Sequence, residues 1–545
     1  MAAMPELPLV GAPLRRLSDE AHFFATCVQR GLIRPQPPLR LARMGLRVLT
    51  HGSIAGLLHA TALRHGRLTA VVDERGPVTY AELDAHSDAI AGAWVAGGLR
   101  PGDGVAILCR NHRWFVEALF AAAKCGARII LLNTDFAGQQ LREVAAREGT
   151  DLLVHDEEYA EVLAEVDTRL GRWVAWRDDD GATEDAARSL ALAAARADGS
   201  TPPRPGREAT LTVLTSGTTG TPKGAARSVP RSLGAVGAVL ERVPFTTNQT
   251  VELCAPMFHS LGLATMMLGI GMGDTLVVRR RFSPGEALRS IGTHRAEALV
   301  VVPVMLQRML DDPACEHADL SSLDVVFSSG SQLGSALCRR ALERLGPVVY
   351  NMYGSTEVAY ASIATPDELA AAPSTVGRVL RGSVVRVLDA DGGPVPTGAV
   401  GRIFVGNRIQ FDGYTGGGSK HAIDGLMATG DVGHFDERGL LFVDGRDDMI
   451  VSGGENVFPR EVEELLERHP DVVECAVVGV DDDTFGQRLK AFVVLRAGAT
   501  WDADGVRRHV RDHLARYKSP RDVEFLDELP RTPTGKVLAR DLLGR

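Results

Sequence analysis

Between residues 52 and 175 short runs of strand character alternate with longer runs of helical period, and this limits the fold more than any other feature. Ala70–Asp73 and Val78–Tyr80 read as short strands, Tyr80–Gly97 as a helix, Val105–Leu108 as a buried strand, Trp114–Cys125 as an Ala-rich helix and Gly126–Leu132 as a further strand. A helix between two strands must cross over the sheet, so such a pattern builds an α/β domain with parallel strands. Strand-like runs resume at Leu211–Leu214, Thr275–Val278, Ala298–Val302, Val325–Phe327 and Val348–Asn351, after a polar connection at 178–208 that holds one short Ala-rich helix.

A chain of 545 residues is too long for one hydrophobic core. The pattern changes near residue 440, where Leu440–Val443, Val472–Val480, Ala491–Leu495 and Val523–Leu526 read as strands and Pro459–Arg468 and Ala503–Arg516 as helices. The expected division is an N-terminal arm at 1–50, a large domain at 51–444 and a small α+β domain at 445–545. Residues 10–50 carry seven arginines against Asp19 and Glu20, with Leu17, Phe24, Leu39, Leu41 and Leu46 interleaved. A basic helix pair packed on the main domain is the plainer reading; weak contact with a membrane surface or a partner is the other.

A formal charge of −9 argues against nucleic acid as a partner. Seven scattered cysteines without a CxxC pair or clustering with histidines read as reduced thiols, not as a disulfide framework or zinc site. Glu6, Arg15 and Arg16 interrupt the N-terminus before any secretory apolar run. Leu253–Gly273 is uncharged and long enough to span a bilayer, but Pro256, His259, Ser260 and four glycines make it a better buried segment lining a pocket. A soluble, cytoplasmic protein is expected, and the oligomeric state is left open.

The strongest local signal is Thr215-Ser216-Gly217-Thr218-Thr219-Gly220-Thr-Pro-Lys223 after a strand-like run. Glycines let backbone N–H groups approach a polyanion, and hydroxyls with one lysine complete a cradle for phosphate oxygens. The spacing is not that of a Walker A loop. Further on, Tyr353-Gly354-Ser355-Thr356-Glu357 follows a strand. A tyrosine there can stack on a purine, a hydroxyl can reach a phosphate, and a carboxylate can hold Mg²⁺.

These segments resemble, in order, the motifs of the adenylate-forming superfamily of acyl- and aryl-CoA synthetases, luciferases and peptide-synthetase adenylation domains. The resemblance runs over roughly residues 52–545. It implies a large N-terminal α/β domain of parallel-rich sheets flanked by helices, with a small β-barrel-like part, and a small mobile C-terminal domain. It further implies that Gly330, Ser331 and Gln332 meet adenine through their backbone, that Tyr353 lies against adenine, that Thr356 contacts the α-phosphate and that Glu357, with Thr215, binds Mg²⁺. Asp431 resembles the aspartate that accepts both ribose hydroxyls, and Arg446 the arginine that assists there. Lys536, in Pro530-Arg-Thr-Pro-Thr-Gly-Lys536, resembles the catalytic lysine. Ser452-Gly453-Gly454-Glu455 resembles the loop that lines the pantetheine path after the small domain turns. Arg446 is followed by Asp447-Asp448 before the next apolar pair, one residue fewer than in most relatives, so the hinge residue stays open.

Pro256-Met-Phe-His259-Ser-Leu261-Gly262 resembles the border of the acyl pocket, with Val302 and Met305 opposite. His259 stands where amino-acid-activating relatives carry a carboxylate for the ammonium, which argues against an amino acid. The expectation is an ATP- and Mg²⁺-dependent fatty acid:CoA ligase working through an acyl-adenylate, with His259 at the carboxylate site. The alternatives are an acyl- or aryl-AMP ligase loading a carrier protein or amine, and a non-catalytic nucleotide-binding relative.

Overall fold

The computed structural model describes residues 13–178, 188–215, 223–227, 232–389, 391–415, 417–446, 450–453, 455–457, 459–530 and 542. Among these, three sheets carry the site.

The first is built around Gly104–Leu108, wholly buried and parallel to Arg128–Leu131 on one side and Thr150–His155 on the other. The helix Arg113–Lys124 crosses back between the first two strands and is buried from Trp114 onward, with Glu117 paired to His86 and Lys124 to Asp84. Thr210–Thr215 extends the parallel set beside Arg128–Leu131. Lys223–Arg227 then returns antiparallel with Thr215 opposite Lys223, so the hydroxyl-rich stretch is the connection of a hairpin. Gly413–Tyr414 adds the last antiparallel strand.

The second sheet has 14 strands. Its parallel half comprises Thr69–Asp73, Thr275–Val278, Thr250–Leu253, Ala298–Val301, Val325–Ser328 and Val349–Tyr353 in spatial order. It continues through Ser362–Ala364, Thr375–Val379, Leu441–Arg446, Leu426–Phe435 and Gly401–Gly406 as antiparallel strands, ending at Val384–Leu388. The small barrel-like part implied by the resemblance is thus an open sheet; no closed barrel forms among the described residues.

The third sheet belongs to the C-terminal part. Val472–Asp482 and Gly486–Leu495 form a long hairpin joined by Asp522–Phe525 and by the hairpin of Ile450–Ser452 and Glu455–Val457. The helix Ala503–His513 packs against Gly138–Arg147 of the large domain, and Ala515 enters the core around Leu108, Phe136 and Leu141.

Two helices occupy most of residues 13–50. Helix α1, Pro13–Gln29, packs on Gly234–Arg242 with Phe23 against Gly234 and Gly237. Helix α2, Pro38–His65, runs past residue 50 and breaks at Gly52, whose φ of 85° suits glycine. Its second half packs on Ser260–Met272 and Arg113–Lys124. No helix among the described residues is long and apolar enough to cross a membrane, and the uncharged 253–273 stretch becomes a strand end, a turn and the helix Ser260–Met272.

Candidate functional site

The ends of Val325–Ser328 and Val349–Tyr353, the start of Ser260–Met272 and the mouth of the 215–223 hairpin converge at one edge of the two large-domain sheets. Tyr353 ends its strand, and its hydroxyl donates to Asp431 Oδ2 at 2.6 Å. Asp431 is buried on Leu426–Phe435, and its cross-strand partner is Arg446. The predicted adenine, ribose and hinge-side positions are therefore neighbours, although 78 residues separate Tyr353 from Asp431.

Glu357, four residues beyond Tyr353, is buried. Ser355 Oγ donates to its Oε2 at 2.9 Å, Tyr414 O–H donates to Oε1 at 3.0 Å, and Lys420 Nζ lies 3.7 Å away. Burial works against its charge, but Lys420, then the Ser355 hydroxyl, its own amide and Tyr414 outweigh that and hold its pKa below the usual range. Lys223 Nζ sits 5.3 Å from the Tyr414 ring centroid, which ties the end of the hydroxyl-rich hairpin to the same carboxylate. Each Glu357 oxygen keeps a lone pair beyond its present donors, so an ionised carboxylate of this kind fits a hard divalent cation.

Thr356 accepts from Ser260 Oγ at 3.1 Å, joining the YGSTE segment to the first turn of Ser260–Met272. His259 stands immediately before that helix, and its Nε2 is 3.2 Å from Glu455 Oε1. Desolvation lowers the His259 pKa, but the Glu455 charge, its hydrogen bond and Asp135 raise it overall. Glu455 shows the converse: burial opposes its charge, and His259 and Lys518 hold its pKa low. The turn that carries Glu455 is pinned by Gly453 N–H donating to Phe485 O at 2.9 Å, with Ser452 buried beside it. A Cβ on Gly453 would meet the Phe485 ring at 3.0 Å.

Ser329, after the strand Val325–Ser328, donates from Oγ to Met352 O at 2.8 Å, which sets Gly330, Ser331 and Gln332 beside the Tyr353 strand. Gly330 has φ of 97°, and a Cβ there would lie 3.3 Å from Val302. Leu261 is buried, and a Cβ on Gly262 would meet the Pro256 carbonyl oxygen at 2.2 Å, so only glycine lets the 256–259 turn close on the helix. Val302 packs on the core that contains Leu261; Met305 packs instead on the core around Leu306 and Met309. Ser216 to Gly220, Asp447, Asp448, Gly454 and Lys536 lie outside the described residues, as do the side chains of Thr215 and Arg446.

Two features escaped the sequence reading. Asn111 Nδ2 donates to Ala255 O at 3.0 Å and Met257 N–H donates to Asn111 Oδ1 at 2.8 Å, so one buried amide clamps the turn that presents His259. Only the fold brings position 111 to 257, and no local pattern marks it. The second is a correction: the cysteines are all free, yet one does cluster with a histidine, for Cys109, His112 and Asp156 meet in the core. His112 Nε2 lies 2.7 Å from Asp156 Oδ1, and both side chains are fully buried.

A large α/β domain bearing a half-buried tyrosine bonded to a buried aspartate, a charged glutamate near Lys223 and a small C-terminal domain define a two-domain nucleotide-using enzyme. The AMP-binding enzyme family matches residues 58–415 and its C-terminal domain residues 461–536, and the chain belongs to these adenylate-forming enzymes. A feruloyl-CoA synthase of Amycolatopsis sp is 34% identical over 89% of this chain and 96% of its own. The fatty acid–[acyl-carrier-protein] ligase ScoC of Streptomyces coeruleorubidus is 31% identical over 91% of this chain and 98% of its own. The o-succinylbenzoate CoA synthetase of Bacillus subtilis, as a double mutant with its product analogue OSB-NCoA, matches with TM-score 0.76 at 27% identity over 90% of this chain and 98% of its own. The same enzyme with the acyl-adenylate OSB-AMP matches at 0.62, at 26% identity over 89% and 97%. Coverage is nearly equal in the two comparisons, and the overlap is closer with the complex with OSB-NCoA.

Proposed function

We propose that the chain is an ATP-dependent, AMP-forming carboxylic acid:CoA ligase, with a fatty acid as the first-choice substrate. The observation that carries the reading is the contact between His259 at the acid site and Glu455 on the glycine turn of the C-terminal part. It fits an arrangement ready for thioester formation. In this reading the domains divide near 444/445, ATP lies over Thr215–Lys223, Tyr353 faces adenine and Asp431 accepts the ribose hydroxyls.

The acid enters beside His259, where the N-terminal end of Ser260–Met272 favours a carboxylate. With Lys536 neutralising charge, a carboxylate oxygen attacks the α-phosphorus and pyrophosphate leaves. The small domain then turns, Lys536 withdraws, Gly453 and Glu455 approach, and the CoA sulfur attacks the carbonyl carbon while AMP leaves with the acid's oxygen. Glu357 and Thr215 would hold Mg²⁺, which supplies charge neutralisation on the phosphates. Two half-reactions on one site need this exchange of partners.

An uncharged apolar acid is supported by His259 in place of a counter-charge, and by Leu261 and Val302 beside it. Feruloyl-CoA synthase as a relative favours an aryl acid as the second reading, and the acyl-carrier-protein ligase favours a carrier as the second acceptor. Pyrophosphate release measured across acids from acetate through long-chain fatty acids to cinnamates and amino acids, with CoA or a phosphopantetheinyl carrier, tests all three. Preference for a fatty acid with CoA is expected; preference for cinnamates, amino acids or the carrier overturns the corresponding part.

A further inference from the structure

The first half of α2 is amphipathic in the wrong direction for a helix in water. Leu39, Ala42, Leu46 and Leu49 recur at i, i+3, i+7 and i+10 and form one stripe. Leu39, Leu46 and Leu49 are 67%, 61% and 78% exposed, and exposed Leu41 and Val48 widen the stripe. Arg47, by contrast, is buried and paired with Asp88 at 2.7 Å. Helix α1 repeats the pattern, with Leu17, Ala21, Phe24 and Val28 at i, i+4, i+7 and i+11 all exposed while Phe23 fills the notch at Gly234 and Gly237.

Among the described residues of the arm, the acidic Asp19 and Glu20 are turned to the protein. Glu20 pairs with Arg408 at 3.0 Å and Asp19 with Arg381 at 3.5 Å. Arg34, Arg40 and Arg43 remain exposed around the stripe, and the first two donate to neutral side chains, Thr247 Oγ1 and Gln36 Oε1. The surface is therefore hydrocarbon rimmed by guanidinium groups on a chain whose formal charge is −9. An exposed apolar face of this extent calls for a covering phase.

We propose that α1 and the first half of α2 form a docking surface for an anionic lipid bilayer. The leucine stripe enters the headgroup–acyl boundary, and Arg34, Arg40 and Arg43 meet lipid phosphates. A second copy of the chain suits the surface less well, because a two-fold contact would set the arginine rim of one copy against that of the other. The position also has a use: α1 packs on the helix that follows the 215–223 hairpin, and α2 on the helix that follows His259. An apolar acid partitioned into lipid would thus be concentrated beside the site. The proposal does not depend on the ligase reading, because it is read by lipid binding alone.

The test is co-sedimentation of the full chain with vesicles of phosphatidylcholine containing phosphatidylglycerol, against phosphatidylcholine alone. Binding to the anionic vesicles, weakening with salt, is expected. Leu46→Glu/Leu49→Glu removes it, and Arg40→Gln and Arg43→Gln each weaken it about fivefold. Circular dichroism and the solution mass stay those of the wild type for all three variants. Failure of the wild type to bind anionic vesicles, equal binding by the double-leucine variant, or a dimer that this variant dissociates would overturn the proposal, the last in favour of a second copy.

Discussion

Replacing Glu455 by Gln separates the two half-reactions if the His259–Glu455 contact stabilises the thioester-forming arrangement. The pair meets at 3.2 Å with side chains about a third and a quarter exposed. Two unit charges near this distance attract by about 4 kcal/mol at an effective dielectric of 20, but ordering and desolvation consume most of it. A net of about 1.5 kcal/mol, the low end for a hydrogen bond between charged groups, is appropriate to partial exposure. That corresponds to about a tenfold change in the balance between domain arrangements. The pH dependence has a definite sign. The raised pKa of His259 makes its contribution full below the unpaired value and lost as pH rises through the raised one. The lowered pKa of Glu455 keeps its contribution present down through the ordinary carboxylate range. Single-turnover thioester formation from supplied acyl-adenylate and CoA should therefore fall about tenfold in Glu455→Gln at pH near 6.5. The gap should narrow in alkali, where the wild type loses the imidazolium. ATP–pyrophosphate exchange should be unaffected. Equal loss in both half-reactions, or a gap that ignores pH, would refute the reasoning.

Three further outcomes follow from other contacts. Glu357→Gln removes the charge that Lys420, Ser355 and Tyr414 organise, and should lower acid-dependent pyrophosphate exchange about a hundredfold, partly recovered by raised Mg²⁺. Asn111→Ala leaves the Ala255 carbonyl and Met257 amide without their buried partner, costing about 2–3 kcal/mol; urea unfolding should show the loss, and the KM for the acid should rise more than that for ATP. Glu252, buried and hydrogen-bonded by Ser290 at 2.6 Å, has its pKa pushed up to about 7, first by burial. Its stabilising contribution is complete below the unfolded carboxylate pKa and lost as pH rises to about 7, so Glu252→Gln should raise the thermal midpoint at pH 8 and leave it unchanged at pH 4.

The central strands were legible because burial on both faces leaves continuous apolar runs. Thr275–Val278 has the same bounds in sequence and structure, and Val105–Leu108 and Val325–Phe327 differ by one residue. The helix Tyr80–Ala96 was legible from its helical period, and in the structure Thr79 and Glu82 form a capping box that fixes its start. Lys223–Arg227 was missed because KGAAR has no strand character of its own; it is held by pairing with Thr210–Thr215. The antiparallel extension from Ser362 to Phe435 was missed likewise: Ser362–Ala364 is only three residues long, and Thr375–Val379, Gly401–Gly406 and Leu426–Phe435 each contain glycine. At the site, the motif residues that meet within a few positions were readable in order. The contacts between distant segments, Tyr353 with Asp431, Tyr414 with Glu357 and Asn111 with Met257, depend on strand register and loop closure, which no short window of sequence carries.

The route through an acyl-adenylate is tested most directly by the fate of the acid's oxygen. A fatty acid labelled with ¹⁸O in its carboxylate, turned over with ATP and CoA, should give AMP carrying one labelled phosphoryl oxygen and pyrophosphate carrying none. Label in pyrophosphate or inorganic phosphate, or unlabelled AMP beside acyl-CoA, would contradict attack at the α-phosphorus.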